Sequence, residues 1–86
     1  MLQLDWRSAP DSARGDDYRY YYVVFKSGHE VFVQEDGDTT WSLTVCEPEA
    51  GFPMYLRTDF KDALAAQKHL EDNALDIIPG LRKYLG

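Results

Sequence analysis

Tyr18 to Lys26 reads YRYYYVVFK, Ser27-Gly28 follows, and His29 to Gln34 reads HEVFVQ. Two runs dominated by aromatic and β-branched side chains, separated by a Ser-Gly break, spell a β-hairpin. A two-residue Ser27-Gly28 loop pairs Lys26 with His29, Val24 with Val31 and Tyr22 with Val33, and puts these six on one face. Tyr21, Val23, Phe25, Phe32 and Gln34 then share the other.

Working outward, a turn around Asp36-Gly37 leads into TTWSLTVC, where Trp41, Leu43 and Val45 alternate with Thr40, Ser42 and Thr44. That period of two describes a strand with one buried and one polar face. After EPEAG, Phe52, Met54 and Leu56 alternate with Pro53, Tyr55 and Arg57. Pro53 cannot donate a ladder hydrogen bond, which places this strand at a sheet edge. On the other side of the hairpin, Leu2, Leu4 and Trp6 alternate with Gln3, Asp5 and Arg7 as a first strand, and residues 8–17, SAPDSARGDD, read as a flexible loop.

The spacing changes after Arg57. Phe60, Ala63, Leu64, Gln67, Leu70 and Ala74 form one stripe of an α-helix over residues 58–74. Thr58 or Asp59 serves as its cap, and Asp59 and Asp62 place negative charge in its first turn. The remaining DIIPGLRKYLG forms either one short turn around Pro79 or an apolar tail. The expected fold is therefore α+β: a small antiparallel β-sheet of four to five strands packed by one C-terminal α-helix, with a short apolar tail. Residues 1–86 are expected to form a single domain, since 86 residues leave room for one core. Trp41 and Leu64 are read as part of that core.

The hairpin is apolar on both faces, whereas a sheet covered by one helix buries only one. With a two-residue Asp36-Gly37 turn, Phe32 faces Trp41, and the surface left open carries Tyr20, Tyr22, Val24, Val31 and Val33. These five are the expected partner-binding residues. A three-residue turn shifts the register by one and exposes Tyr21, Val23, Phe25 and Phe32 instead. The competing arrangement folds Leu2, Leu4, Trp6 and the tail across the open face.

Charge and chemistry narrow the function further. The net charge is −6, and the segment from Ser27 to Leu56 holds six acids and no Lys or Arg. Phosphate-tracking surfaces need clustered basic residues, so nucleic acid is not an expected partner. A polyanion mimic is conceivable, but acidic surface loops are ordinary. The Tyr-rich strand has only Arg19 and Lys26 near it, which favours protein contact over base stacking. His29, Cys46 and His69 lie far apart without paired spacing, so neither a metal nor any other cofactor is expected. Cys46 with either histidine is a weak nucleophilic pair without an orienting group, and the chain is read as non-enzymatic. One cysteine, no apolar stretch of leader length and none of membrane-spanning length give the expectation of a cytoplasmic location with no membrane partner.

The run GHEVFVQEDGDTTWSLTV, followed by YLRTDFKDALAAQKHLEDNA, resembles small actinobacteriophage proteins that pair a Trp-centred β-meander with a helix opened by a short Phe-led phrase. The likeness covers about Val23 to Ala74. It implies a role in host takeover or in inhibiting a host or defence protein, as anti-CRISPR proteins do, in the host cytoplasm. A fainter likeness is to antitoxins of the HicB type, whose Pro-Gly-Cys phrase is missing here because Cys46 is followed by Glu47-Pro48. The leading expectation is thus a protein-binding module with a host protein as partner and a homodimer as a further form. The alternatives are a small assembly subunit, or a ligand binder or enzyme using a cleft beside the helix.

Overall fold

The computed structural model describes residues 4–10, 18–35, 40–49 and 53–79. Strands β1 (Arg7–Pro10), β2 (Arg19–Val24), β3 (Glu30–Glu35), β4 (Trp41–Cys46) and β5 (Pro53–Phe60) form one antiparallel meander in chain order. Helix α1 (Ala63–Ile77) packs against β3, β4 and β5 on one side of it. This is the expected α+β architecture, a five-stranded sheet with one C-terminal helix.

The register of the first hairpin differs from the expected one. The Phe25 N–H donates to the His29 carbonyl at 3.0 Å and the Gly28 N–H to the Phe25 carbonyl at 2.9 Å, which closes a three-residue loop, Lys26-Ser27-Gly28. Gly28 sits at φ +92°, the left-handed position that ends such a loop and lets its twist match that of the strands. Tyr22 therefore pairs with Phe32 and Val23 with Val31, one residue away from the expected Tyr22–Val33 pairing. A Cβ on Gly28 would lie 3.1 Å from the Pro48 side chain in addition to straining the backbone. Gly28→Ala is expected to lower stability by about 1 to 3 kcal/mol in urea denaturation.

Between β3 and β4, Glu35 pairs with Trp41, Val33 with Leu43 and Val31 with Val45. Residues 36–40 separate the strands, and the expected Asp36-Gly37 turn lies outside the described residues. Because side chains alternate, these two registers together turn Val31, Val33, Leu43 and Val45 toward the helix, where all four are fully buried. Val31 and Val33, expected on the open face, are core. Phe60, Ala66, Leu70, Ala74 and Ile78 complete the cluster, and Trp41 packs against it half-buried.

The helix starts later than its sequence spacing suggests, because residues 58–60 continue β5. Asp62, with extended backbone, is the N-cap in place of Thr58 or Asp59, and its carboxylate accepts the Ala65 N–H at 2.7 Å. The buried stripe is Ala66, Leu70 and Ala74, while Leu64 is 71% exposed and outside the core. Small Ala66 and Ala74 let the helix backbone approach the valines of the sheet. The Ile78 N–H closes the last turn on the Ala74 carbonyl at 2.8 Å. Ile78 is fully buried, and the rest of the expected tail, residues 80–86, lies outside the described residues.

The N-terminal segment also departs from expectation. Leu4 and Trp6 precede β1, and the strand is formed by Arg7 to Pro10, the last three of which fall in the segment expected to be a loop. Residues 11–17 of that loop and Leu2 lie outside the described residues. A carboxylate supplies the acceptor that a ladder would have given Leu4 and serves the Trp6 side chain as well: Glu71 Oε2 takes the Leu4 N–H at 3.2 Å and the Trp6 indole N–H at 3.1 Å. Both side chains pack on the core from the helix side, so they do not cover the opposite face of the sheet. Glu71→Ala leaves two donors without this acceptor and is expected to cost about 1 to 3 kcal/mol, with a red shift of tryptophan emission as Trp6 loosens.

The two edges of the sheet are poor templates for another strand. β1 has four residues and ends in Pro10. β5, confirmed as an edge, starts at Pro53 and carries register shifts opposite Trp41/Leu43 and Val45/Cys46, so only its middle runs in unbroken register. Among the described residues, no helix is long and apolar enough to cross a membrane.

Candidate functional site

The face of the sheet turned away from α1 is built by alternation from the residues between the buried ones. Its central row runs Arg7, Tyr22, Phe32, Thr44 and Leu56 across all five strands. Ala9 and Tyr20 lie in the row on one side, with Gln34 and Ser42. Val24, Glu30 and Cys46 lie in the row on the other. The Tyr20 ring stands 5.8 Å from Tyr22 and 6.1 Å from Phe32, centroid to centroid, which makes a half-buried aromatic cluster of three on this side of the sheet. Val24 at 59% and Leu56 at 57% exposure extend it. Arg7 and Glu30 are the charged residues among these paired positions, one of each sign.

Tyr20, Tyr22 and Val24 are therefore together on the open face, as expected, and Val31 and Val33 are not. Phe32 and Leu56 take their place. The signal for Phe32 was Gly28: read as the third residue of its loop, it shifts the hairpin by one and brings Phe32 beside Tyr22.

The other residues singled out for chemistry are kept apart by the same alternation. Cys46 belongs to the open face and is paired with Glu30. His69 lies on the helix side, where Nε2 shares a hydrogen bond with the Tyr55 hydroxyl at 3.0 Å and the imidazole lies against the Tyr55 and Phe60 rings. His29 holds the hairpin loop through a 2.6 Å contact of Nδ1 with Ser27 Oγ. The sheet thus stands between Cys46 and His69. Beside Tyr55, Arg57 stacks 4.8 Å over Phe60 and bonds Asp59 at 2.9 Å. The hydrogen bond that Arg57 Nε donates to the Asp59 carboxylate, and then the charge of that carboxylate, raise the pKa of the guanidinium, and the same bond lowers that of the Asp59 carboxyl. Among the described residues, no group of three His, Cys, Asp or Glu converges to hold a metal.

Among the described residues, two clefts accompany the sheet. One of about 270 Å³ lies at the corner of the open face, lined by Asp5, Arg7, Tyr22, Val23 and Val24. The second, about 220 Å³, lies on the helix side beyond β2 and β4 and is lined by Tyr18, Arg19, Tyr21, Glu35 and Trp41. Neither set includes Cys46 or a histidine.

These features define a meander-plus-helix domain with an aromatic outer face. No family model matches the chain, and no curated protein or solved structure shows significant similarity to it.

Proposed function

We propose that the chain is a non-enzymatic protein-binding module that docks another protein on the open face of its sheet, with a second copy of itself as the first occupant. One observation carries this reading: on the side away from the helix, exposed Val24 and Leu56 flank the half-buried rings of Tyr20, Tyr22 and Phe32. Exposed apolar patches of this kind mark contact surfaces, and aromatic residues near their centre supply most of the binding energy. A second copy fits because the open face carries both signs, Arg7 together with Glu30 and, at its corner, Asp5, so two copies related by a two-fold axis set Arg7 of one against an acid of the other despite the net charge of −6. A domain of this size also hides only about 60 to 65% of its unfolded surface, and a copy adds burial. The likeness to small actinobacteriophage proteins supports a host protein that competes for the same face, with inhibition as the result.

Light scattering from low to high micromolar concentration tests the proposal. Twice the chain mass at the upper end is the expected result. A folded monomer throughout would overturn the second copy as occupant, and failure of the chain to retain any host protein in a pull-down would then remove the binding-module reading as well.

A further inference from the structure

We propose that residues 4–6 are a strap with two seats: one on helix α1, tied to Glu71 as in this structure, and one on the sheet, where they continue β1 alongside Val24 and close the cleft at the corner of the open face. The strap does not depend on what docks on that face.

The ladder between β1 and β2 ends early. It runs from Pro10 opposite Arg19 to Arg7 opposite Tyr22, and Asp5 and Trp6 take no part in it. β2 goes on to Val24, which is paired with Glu30 of β3. The Phe25 N–H donates to His29 inside the hairpin, so by alternation the N–H and C=O of Val24 point the opposite way, to where Asp5 stands in a longer β1. The cleft of about 270 Å³ lined by Asp5, Arg7, Tyr22, Val23 and Val24 is this gap.

The segment itself suits a strand, since Leu4 and Trp6 alternate with Asp5 and Arg7. The move also leaves every side chain on the side it already occupies. Arg7 belongs to the open face, so a continued strand turns Trp6 and Leu4 toward the helix, where both already pack on the core, and turns Asp5 toward the cleft it already lines. What holds the segment off the ladder is Glu71 Oε2, which accepts the Leu4 N–H at 3.2 Å and the Trp6 indole N–H at 3.1 Å. Seating the strap on the sheet exchanges the Leu4 bond to a carboxylate for two neutral backbone bonds between Asp5 and Val24. A charge-assisted bond is roughly twice as strong as a neutral one, so the two seats balance closely and the carboxylate decides between them.

The experiment measures amide hydrogen exchange by NMR in the intact chain and in Glu71→Met, which removes the acceptor and keeps the length of the side chain. In the native chain the Tyr22 amide, inside the ladder, is expected to be protected and the Val24 amide only weakly so. In Glu71→Met the protection of Val24 is expected to rise about tenfold while that of Tyr22 stays high. Glu71→Gln, which keeps a neutral acceptor, is expected to lie between the two. Protected Val33 and Leu70 amides verify that each variant is folded. As a second readout, Asp5→Cys/Val24→Cys in a Cys46→Ser background joins strap to sheet by a disulfide under mild oxidation, and adding Glu71→Met is expected to speed its closure by a similar factor. A Val24 amide as free in Glu71→Met as in the native chain, one already as protected as that of Tyr22 in the native chain, or closure at a rate independent of Glu71 would overturn the proposal.

Discussion

Leu70→Ala is expected to lower the unfolding free energy by about 2 to 5 kcal/mol, a large part of what a domain of this size has. Leu70 is fully buried where α1 meets the valines of β3 and β4, and the small neighbours Ala66 and Ala74 have no side-chain atoms beyond Cβ with which to fill the space it leaves. Leu64→Ala, six residues earlier in the same helix, is expected to change stability by no more than about 0.5 kcal/mol because Leu64 is exposed. Urea denaturation of the two variants compares them directly, with a shifted midpoint and unchanged slope for Leu70→Ala. Equal losses would show that the helix packs through a different face. The sequence spacing alone puts both leucines on one stripe, so this pair of variants also separates the expected helix from the observed one.

The double variant Tyr22→Ser/Phe32→Ser is expected to weaken association through the open face by about a hundredfold or more, as loss of two central aromatic side chains does. Circular dichroism should stay native, since both side chains lie outside the buried cluster. The comparison is Glu47→Gln/Glu49→Gln. Glu35 ends β3 at one end of the sheet, and Glu47 and Glu49 follow β4 at the other, so these three acids stand at opposite ends and not in a continuous strip. Removing one cluster is expected to alter the association rate more than the affinity. If the acidic variant alone loses its partner, with a steep salt dependence, the contact is electrostatic and a polyanion mimic replaces the aromatic-face reading.

The meander, the edge position of the strand holding Pro53 and the presence of a C-terminal helix were legible because each rests on a local signal: alternation, a missing donor, a change of period. Which face each strand buries was not, because side-chain direction depends on the parity of every loop. One residue more in the Lys26-Ser27-Gly28 loop than in a Ser-Gly turn moves Val31 and Val33 from the open surface into the core and Phe32 out of it. The start of the helix was hidden for a different reason. Residues 58–60 suit a strand as well as a first helical turn, and β5 pairing decides the matter by giving Trp41 a partner in Phe60. The Trp6–Glu71 contact joins residues 65 apart and leaves no periodic trace in the sequence.

The blunted edges of the sheet have a consequence for stoichiometry. Strand-to-strand addition is open-ended, since every added copy offers a fresh edge, and it leads to filaments. Contact through the open face consumes the same patch on both copies, so it closes on itself as a two-fold pair. Pro10 on one side, with Pro53 and the two bulges of β5 on the other, disfavour the first mode and leave the second. Under the proposed reading, assembly of this chain through its sheet is therefore finite: it would stop at two, and a foreign protein that took the same face would replace one copy and not add to a growing stack.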